Sequence, residues 1–435
     1  MRTINSLEKL DEQLDAAAIA ATRSQNDFRK VLDGFVFDPR EVLGKLPKDP
    51  RSDDYRAAQM RLYALIAGST YKTENEKTPF DHAHMMRWPF PYSTRSASLV
   101  GDYLMTYGNL IKTMDLAKDA RVLEIGSGYG PLTYQLASMG HHVTCVDVHE
   151  PLLTYVRDRT SSLPGKVQTL VADMNDLELN DTFDAIIFFE SFHHGADHIG
   201  MLKRLPKWLE PNGVLVLAGE PIVPAGALAV PYPWGLRLDG LSLWFIRRLG
   251  WLELGFQEGY LRKLLEDLGW GVVCRPNYAS PTMGVWLAKR STEEAEFTAP
   301  SSEQVVANWN ACDSRMQTQV GMRNTDNTGL RSTGKAGYLL YGPYVPLDCG
   351  FYEVQWEGRV HGAGASGRVD VACNGGLDVL RASDYSIAKR TRSDASQVLA
   401  HLRFKVWEPV QDLEFRLQID ADVDLEITRV VLHKR

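Results

Sequence analysis

The chain has 435 residues, of which 44% are apolar and 24% are charged, a composition typical of an ordinary globular protein. This length is too great for one compact core and predicts two or three domains. The net charge of −7, with no stretch dense in lysine or arginine, argues against a nucleic-acid partner.

Residues 1–95 are predicted to form a helical N-terminal region. Apolar residues recur at helical spacing over Leu7–Leu14 and again over Tyr55–Ile66. In the segment 69–98 that spacing fails, and aromatic residues gather among prolines instead. Tyr92, in this segment, is a candidate to close over a bound cofactor.

From residue 96 to residue 290, short apolar strands alternate with helices. Strands without apolar–polar alternation are typical of a parallel sheet covered by helices on both faces. Ligands of such sheets bind at the carboxyl ends of the strands, so we expect the functional site there. The predicted strands are Arg121–Ile125, His142–Asp147, Val167–Ala172, Phe183–Phe189, Gly213–Ala218, Gly271–Arg275 and Gly284–Ala288.

A glycine-rich loop, Glu124-Ile-Gly-Ser-Gly-Tyr-Gly130, joins the first of these strands to the next helix. Glycines allow a tight turn and let the backbone approach a ligand closely. Asp147, at the end of the second strand, is placed to accept hydrogen bonds from ribose hydroxyls. Asp173 and Met174, after the third strand, can hold an adenine between a carboxylate and an apolar side chain. Glycine spacing alone is weak evidence, since dinucleotide sites and phosphate loops use similar spacing.

These motifs resemble those of the class I S-adenosylmethionine-dependent methyltransferases. The resemblance covers Ala120–Arg290 and is carried by Val122–Gly130, Val146–Val148, Ala172–Met174 and Phe183–Glu190. It implies a Rossmann-like, seven-stranded α/β sheet that binds S-adenosyl-L-methionine, with the glycines on its amino-acid part. It also implies a ribose contact by the first aspartate and an adenine contact by the second. The cofactor-binding candidates are Glu124, Gly126, Ser127, Gly128, Gly130, Asp147, Val148, Asp173, Met174, Glu190 and Tyr92.

The chain departs slightly from the family pattern before its fifth strand, where Leu209-Glu-Pro-Asn-Gly213 replaces a Pro-Gly-Gly turn. The rival interpretation is a dinucleotide-binding domain. That domain has the spacing GxGxxG, whereas this loop has GxGxG behind an acidic residue. The acidic residue, Glu124, belongs to the methyltransferase pattern, which is therefore favoured.

The loop after the fourth strand, Glu190-Ser-Phe-His-His194, should border the reacting end of the site. Many family members that methylate nitrogen carry an Asn/Asp-Pro-Pro-Tyr/Phe segment here, and its absence favours an oxygen acceptor. An alcohol must lose its proton during methyl transfer, and histidine suits that task at neutral pH. His193 and His194 are the candidate general bases, and Glu220 is an alternative. The structural alternative is that one histidine caps the next helix and the other packs.

A metal site at the same loop would draw on His193, His194, Asp197 or His198. Magnesium prefers carboxylate oxygens and water to imidazole, and Glu190 and Asp197 are the carboxylates nearby in sequence. No metal is therefore expected.

A tryptophan-rich segment with Trp234, Trp244 and Trp251 follows the fifth strand. It is interpreted either as a lid over the acceptor pocket or as a helical pair that packs on the core or on a second subunit. Arg247 and Arg248, flanked by apolar residues, also allow a peripheral membrane contact.

Beyond a linker at 291–315, residues 316–435 alternate apolar and polar residues between glycine-rich turns, which is typical of an antiparallel β-sandwich. The segment Gly337–Trp356 resembles jelly-roll-like, carbohydrate-binding modules attached to bacterial glycan-modifying enzymes. Aromatic rings stack on sugars, although half-buried strands favour aromatic residues in any case. The candidate sugar-binding residues are Tyr341, Tyr344, Tyr385 and Trp407.

Together these features predict an O-methyltransferase that acts on a hydroxyl of a sugar or a cell-surface polysaccharide. The alternatives are a small-molecule, natural-product O-methyltransferase and a catalytically inactive glycan-binding scaffold. Five scattered cysteines without CxxC spacing and a charged N-terminus predict a cytoplasmic protein without disulfides or a secretory signal. The sequence contains no run of about 20 apolar residues, so no membrane-spanning helix is predicted.

Overall fold

The computed structural model of the protein describes residues 2–90, 93–275, 284–290, 304–362, 364–388, 396–406 and 409–434. The chain forms two compact units, Met1–Trp270 with Asn277–Arg290, and Gly271–Pro276 with Ser291–Arg435. The first unit contains both the N-terminal region and the region that resembles methyltransferases. Within the described ranges, no helix is long and apolar enough to span a bilayer.

The first unit is built from helices and mostly short strands. Its helices are α1 (Leu7–Ala21), α2 (Gln25–Leu32), α3 (Arg40–Leu43), α4 (Asp53–Ala67), α5 (His82–Arg87), α6 (Ala97–Met114), α7 (Pro131–Ser138), α8 (Glu150–Thr160), α9 (His198–Arg204), α10 (Gly240–Trp244) and α11 (Glu258–Asp267). The strands up to residue 290 are β1 (Arg2–Ile4), β2 (Phe35–Phe37), β3 (Arg121–Ile125), β4 (His142–Asp147), β5 (Val167–Val171), β6 (Phe183–Phe189), β7 (Leu209–Ala218), β8 (Ile222–Val223), β9 (Trp234–Leu236), β10 (Leu254–Gln257), β11 (Trp270–Arg275) and β12 (Val285–Arg290).

The central sheet of this unit has the strand order β5-β4-β3-β6-β7-β12. All neighbours run parallel except β12, which is antiparallel to β7. Ile186, Ile187 and Phe188 of β6 are fully buried although successive side chains point to opposite faces. The sheet is therefore covered on both faces, as the apolar strands predicted, and the α/β fold is confirmed. The strand predicted at Gly271–Arg275 is present as β11, most of which belongs to the second unit.

Strand register brings the predicted functional segments to one edge of the sheet. Ile125 of β3 pairs with Val146 of β4 and with Phe188 of β6, and Phe189 pairs with Ala218 of β7. Since these are the carboxyl ends of parallel strands, the chain leaves all four at the same edge. The glycine loop, the aspartate after β4, the loop after β6 and the acidic residue after β7 consequently meet there.

The tryptophan-rich insert packs on the N-terminal helices of its own chain. It forms a small sheet, β8-β10-β9, and the chain forms α10 and a π-helical turn between β9 and β10. The Tyr55 hydroxyl of α4 donates to the Trp234 carbonyl at 3.0 Å. Arg247 forms an ion pair with Asp11 of α1, at 2.8 Å, and Arg248 forms one with Asp15. The two arginines considered for a membrane contact thus have acidic partners in this fold.

The second unit is an antiparallel β-sandwich. Its further strands are β13 (Gln304–Asn310), β14 (Gly321–Arg323), β15 (Leu330–Ser332), β16 (Gly337–Leu340), β17 (Pro343–Leu347), β18 (Gly350–Val360), β19 (Gly364–Cys373), β20 (Asp378–Ala388), β21 (Gln397–Val406), β22 (Val410–Ile419) and β23 (Leu425–Lys434). One sheet contains β16, β22, β19 and β20, with β17 on β22 and β11 on β20, and the other has the order β14-β15-β23-β18-β21, with β13 on β23. Alternate residues such as Trp356, Phe415 and Ile427 fill a common core. Part of the segment expected to be a linker is therefore a strand, β13.

The candidate sugar-binding residues of this unit differ in exposure. Tyr344 is 42% exposed and has a positive φ of 60°. Tyr341 is half-buried, and so is Tyr385, which packs against the core and donates its hydroxyl to the Gln418 carbonyl at 3.3 Å. Trp407 lies outside the described residues. Sugar binding by these side chains stays a prediction.

Candidate active site

A cavity of about 190 Å³ lies where the carboxyl ends of the parallel strands meet. Its walls come from the glycine loop, the ends of β4, β5 and β6, the N-terminal region and the tryptophan-rich insert. The residues that line it are Tyr71, Thr73, Glu76, Thr78, Ile125, Gly126, Gly128, Tyr129, Val146, Asp147, Val148, Leu152, Ala172, Asp173, Met174, Asn175, Glu190, Ser191, His194 and Trp251.

The glycine loop needs glycine for its backbone conformation and for space. Gly126, Gly128 and Gly130 have φ values of +73°, +52° and +63°, which other residues adopt only with strain. A Cβ on Gly126 would lie 2.5 Å from the Ser191 Cβ, and one on Gly130 would lie 2.6 Å from a methyl carbon of Val156. The loop therefore folds closely against the loop after β6 and against α8.

Asp147 connects the glycine loop to the end of β4. Its Oδ2 accepts a hydrogen bond from the Gly128 amide at 2.9 Å, and its Oδ1 accepts one from the His149 amide at 2.9 Å. Burial raises the pKa of Asp147, while these two hydrogen bonds act to lower it. The carboxylate lines the cavity and has lone pairs left for the hydroxyl groups of a ligand.

Asp173 connects the cavity to the N-terminal region. Its Oδ2 accepts a hydrogen bond from the Thr73 hydroxyl, and its Oδ1 accepts bonds from the Asn175 amide and side chain, both at 2.8 Å. Met174 lies beside it, with its methyl carbon 3.7 Å from where a Gly126 Cβ would be. A carboxylate and a thioether thus lie together on one wall, as expected for the adenine side.

Three predicted cofactor residues lie behind the cavity wall. Glu124 is buried beneath the loop and accepts a hydrogen bond from the Thr133 hydroxyl of α7. Ser127 is also buried, and Gly130 is the residue that caps α7 at its N-terminus. Tyr92 lies outside the described residues. The other predicted cofactor residues line the cavity.

Glu220 organises the short 3₁₀ turn after β6. Its Oε1 accepts hydrogen bonds from the Ser191 and Phe192 amides, both at 2.9 Å, and its Oε2 accepts one from the His193 amide at 3.1 Å. The same Oε2 lies 2.7 Å from Nδ1 of His193. Burial raises the pKa of Glu220 to about 7, against the backbone hydrogen bonds that lower it. Four contacts occupy this carboxylate, which holds the turn and one histidine ring in place.

His193 and His194 pack against each other after β6, with their rings tilted by 36°. Their ring centroids are 4.3 Å apart, and His194 lines the cavity. His194 Nδ1 lies 3.3 Å from Glu76 Oε2, close enough for an ion pair. Burial opposes the charged form of His194, but the Glu76 carboxylate outweighs it and the pKa of His194 is raised to about 9. Burial lowers the pKa of His193 well below its usual value, which favours the neutral imidazole.

Further carboxylates surround this pair. Glu190, with a positive φ of 51°, lines the cavity and accepts a hydrogen bond from the Tyr103 hydroxyl at 3.2 Å. Burial, together with the charges of Glu220 and Glu253, raises the pKa of Glu190 to about 7. Glu253 Oε2 lies 3.8 Å from His193 Nε2 and 3.4 Å from Arg237. The reacting end is therefore a buried histidine–carboxylate cluster.

Two acidic members of this cluster were not predicted from the sequence. Glu76 lies in the segment 69–98, where no helical or strand pattern gave it a place. Glu253 lies in Trp251-Leu-Glu-Leu-Gly255, and a single acidic residue between apolar neighbours was the signal that could have found it. Trp251 was considered as part of a lid, and its indole forms one cavity wall, edge-on to His194 at 6.2 Å.

Comparisons with known proteins find methyltransferases. A family model described as a methyltransferase domain matches residues 122–213, which include the glycine loop, both aspartates and both histidines. A ubiquinone biosynthesis O-methyltransferase of Xanthomonas oryzae is 26% identical over 184 residues, 42% of this chain and 69% of that protein. A glycine/sarcosine/dimethylglycine N-methyltransferase of Actinopolyspora halophila is 28% identical over 182 residues, 41% of this chain and 30% of that protein.

The solved structures that are similar to this chain include a TehB-like S-adenosylmethionine-dependent methyltransferase from Corynebacterium glutamicum. The TM-score between the two is 0.31 and their sequence identity is 16%. The match covers 43% of this chain and 88% of that chain. The cofactor of this methyltransferase is S-adenosylmethionine.

Gly126→Ala is expected to weaken S-adenosylmethionine binding at least tenfold. The methyl group would meet Ser191 at 2.5 Å in a backbone conformation that alanine resists. Gly108→Ala is the control, because Gly108 is exposed on α6 with nothing within 4 Å of the new carbon. Titration calorimetry measures the affinity and a thermal melt measures folding. Equal affinities for the two variants would contradict this account of the loop.

Glu124→Gln is expected to change how stability depends on pH. Burial raises the pKa of Glu124 from 4.5 to about 7, so the folded state keeps a proton that the unfolded state releases between these values. Wild-type stability therefore falls as the pH rises through this window, by roughly 3 kcal/mol at its upper end. Glutamine does not titrate and so removes that loss. The free energy of unfolding of the variant, relative to that of wild type, should therefore increase from pH 5 to pH 8 in denaturant titrations. The exposed Glu178→Gln should track wild type, and a Glu124→Gln variant that does the same would refute the assignment.

Proposed function

We propose that this S-adenosylmethionine-dependent methyltransferase transfers the methyl group to a hydroxyl oxygen that is activated at the His193–His194 pair. The observation that carries the proposal is the position of the pair. His194 lies on the wall of the cavity, and the His193 ring packs against it with the centroids 4.3 Å apart. The pair follows β6, at the sheet edge where the sulfonium end of the cofactor would lie.

Methyl transfer to an alcohol requires alignment and the removal of a proton. The oxygen attacks the methyl carbon in line with the sulfur, so the acceptor must be held against the cofactor. An uncharged alcohol is a weak nucleophile until its O–H bond is broken or polarised. Glu220 contacts Nδ1 of His193, and Nε2 of the same ring makes no hydrogen bond with a described residue. This nitrogen is therefore open to act on an acceptor.

We further propose a saccharide as the acceptor and the cytoplasm as the location. The support for a saccharide is the second unit, whose antiparallel sandwich resembles carbohydrate-binding modules and which exposes Tyr344. Five cysteines without CxxC spacing support the location.

A small-molecule hydroxyl is the second candidate acceptor. The relative from Xanthomonas is, by name, an O-methyltransferase of ubiquinone biosynthesis. The Trp251 indole on the cavity wall gives a flat apolar surface that an aromatic acceptor can contact.

The test incubates the protein with methyl-labelled S-adenosylmethionine and two acceptor panels, one of saccharides and one of phenolic or aliphatic alcohols. We expect the label in an O-methyl ether, located by NMR, on a saccharide. Label on nitrogen or carbon would overturn the proposal, and label on a phenol alone would select the second candidate. The double variant His193→Ala, His194→Ala should lose at least a hundredfold in kcat while it still binds the cofactor. The exposed His84→Ala serves as control.

A further inference from the structure

The histidine pair and Glu253 form a constellation that proton transfer alone does not explain. One nitrogen of His193, one nitrogen of His194 and one oxygen of Glu253 all lie within 4.8 Å of one another. The side chains of His193 and Glu253 are 8% and 6% exposed. Three ligand atoms of two kinds thus converge on one buried point.

Each histidine has a further carboxylate beside its Nδ1. Glu220 Oε2 lies 2.7 Å from His193 Nδ1, and Glu76 Oε2 lies 3.3 Å from His194 Nδ1. Metal-binding histidines commonly donate one ring N–H to such a carboxylate, which fixes the ring and leaves the other nitrogen for the metal. His193 fits this arrangement most clearly, because its Nδ1 contacts Glu220 while its Nε2 lies 3.8 Å from Glu253.

The charged side chains around the histidine pair also favour a bound cation. Four carboxylates, those of Glu76, Glu190, Glu220 and Glu253, surround the two imidazoles. Within the described part of the chain, Arg237 is the arginine that contacts this group, and it is shared with Asp239 at 3.2 Å. Buried carboxylates are normally paired or bound to a metal, so these neighbours would stabilise a cation at the histidine pair.

We propose that His193, His194 and Glu253 bind a divalent first-row transition-metal ion, and that this ion binds the acceptor hydroxyl; this rests on the proposed O-methyl transfer. Two imidazoles and one carboxylate suit zinc, manganese, cobalt or iron(II), with positions left open for a substrate oxygen. Magnesium and calcium prefer an all-oxygen set. The sequence predicted no metal because magnesium prefers oxygen ligands and few carboxylates lie near the loop in sequence. Glu253 is distant from the loop in sequence and was not among those carboxylates.

The ion would lower the pKa of the alcohol that it binds. The O–H bond breaks and its proton passes to water, and the oxygen then forms a bond to the methyl carbon. The C–S bond breaks with its electron pair going to sulfur, which leaves a neutral thioether. Glu220 and Glu76 act as positioning residues that orient the two rings.

The test removes metal from the full-length protein with a chelator and titrates Co²⁺, followed by calorimetry and by visible absorption. We expect one equivalent to bind and d–d bands that report coordination. Glu253→Gln and His193→Ala should each weaken Co²⁺ binding at least tenfold, and Glu220→Gln about tenfold. The exposed Glu178→Gln and His84→Ala should leave it unchanged.

S-adenosylmethionine affinity shows that each variant is folded, and Glu253→Gln tests the site even if His193→Ala does not fold. No Co²⁺ binding to wild type, or binding that is insensitive to Glu253→Gln, overturns the metal site. Activity assays separate the two proposals. Full O-methylation by chelated enzyme would refute the role of the ion and leave the proposed function intact. Co²⁺ binding by an enzyme that gives no O-methyl product would refute the proposed function, and the role of the ion with it, but not the metal site.

Discussion

The carboxylate of Glu220 is the contact on which the geometry of the site depends. It follows β7, yet it accepts three backbone hydrogen bonds and one imidazole contact from the loop after β6. The turn that it fixes contains Ser191, whose hydroxyl donates to the Ile125 carbonyl at 2.6 Å and whose Cβ packs over Gly126. One buried acceptor thus sets the spacing of three neighbouring strand ends. Because a buried carboxylate without donors is costly, the amides and the carboxylate require each other.

Patterns that are local in sequence were sufficient to predict the sheet and the loops that meet at its carboxyl edge. Apolar runs such as the one in β6 predict buried parallel strands, and glycines with positive φ mark a loop that approaches a ligand. Glu76 and Glu253 could not be placed in this way. Each reaches the histidine pair through tertiary packing of a segment distant in sequence, and no spacing rule relates such segments.

The tryptophan-rich insert shows that composition can predict burial without predicting the packing partner. Its apolar composition correctly indicates burial, since Trp234 and Leu254 are almost completely buried. Composition does not specify what an apolar segment packs against, so a lid, a subunit contact and a membrane contact were all compatible with it. The structure packs it on α4 and pairs its arginines with α1, which leaves Trp251 and Glu253 directed at the site.

The hydrogen bond from Thr73 to Asp173 has a consequence for what counts as the functional module of this chain. The portion recognisable by family pattern, residues 122–213, contains the sheet edge but not the wall formed by residues 71–78 or by Trp251. A fragment cut to the recognisable portion would remove the hydrogen-bond donor of Asp173 and leave His194 without its acidic neighbour. The smallest autonomous binding unit is therefore much longer than its recognisable motif, and it requires segments on both sides of that motif.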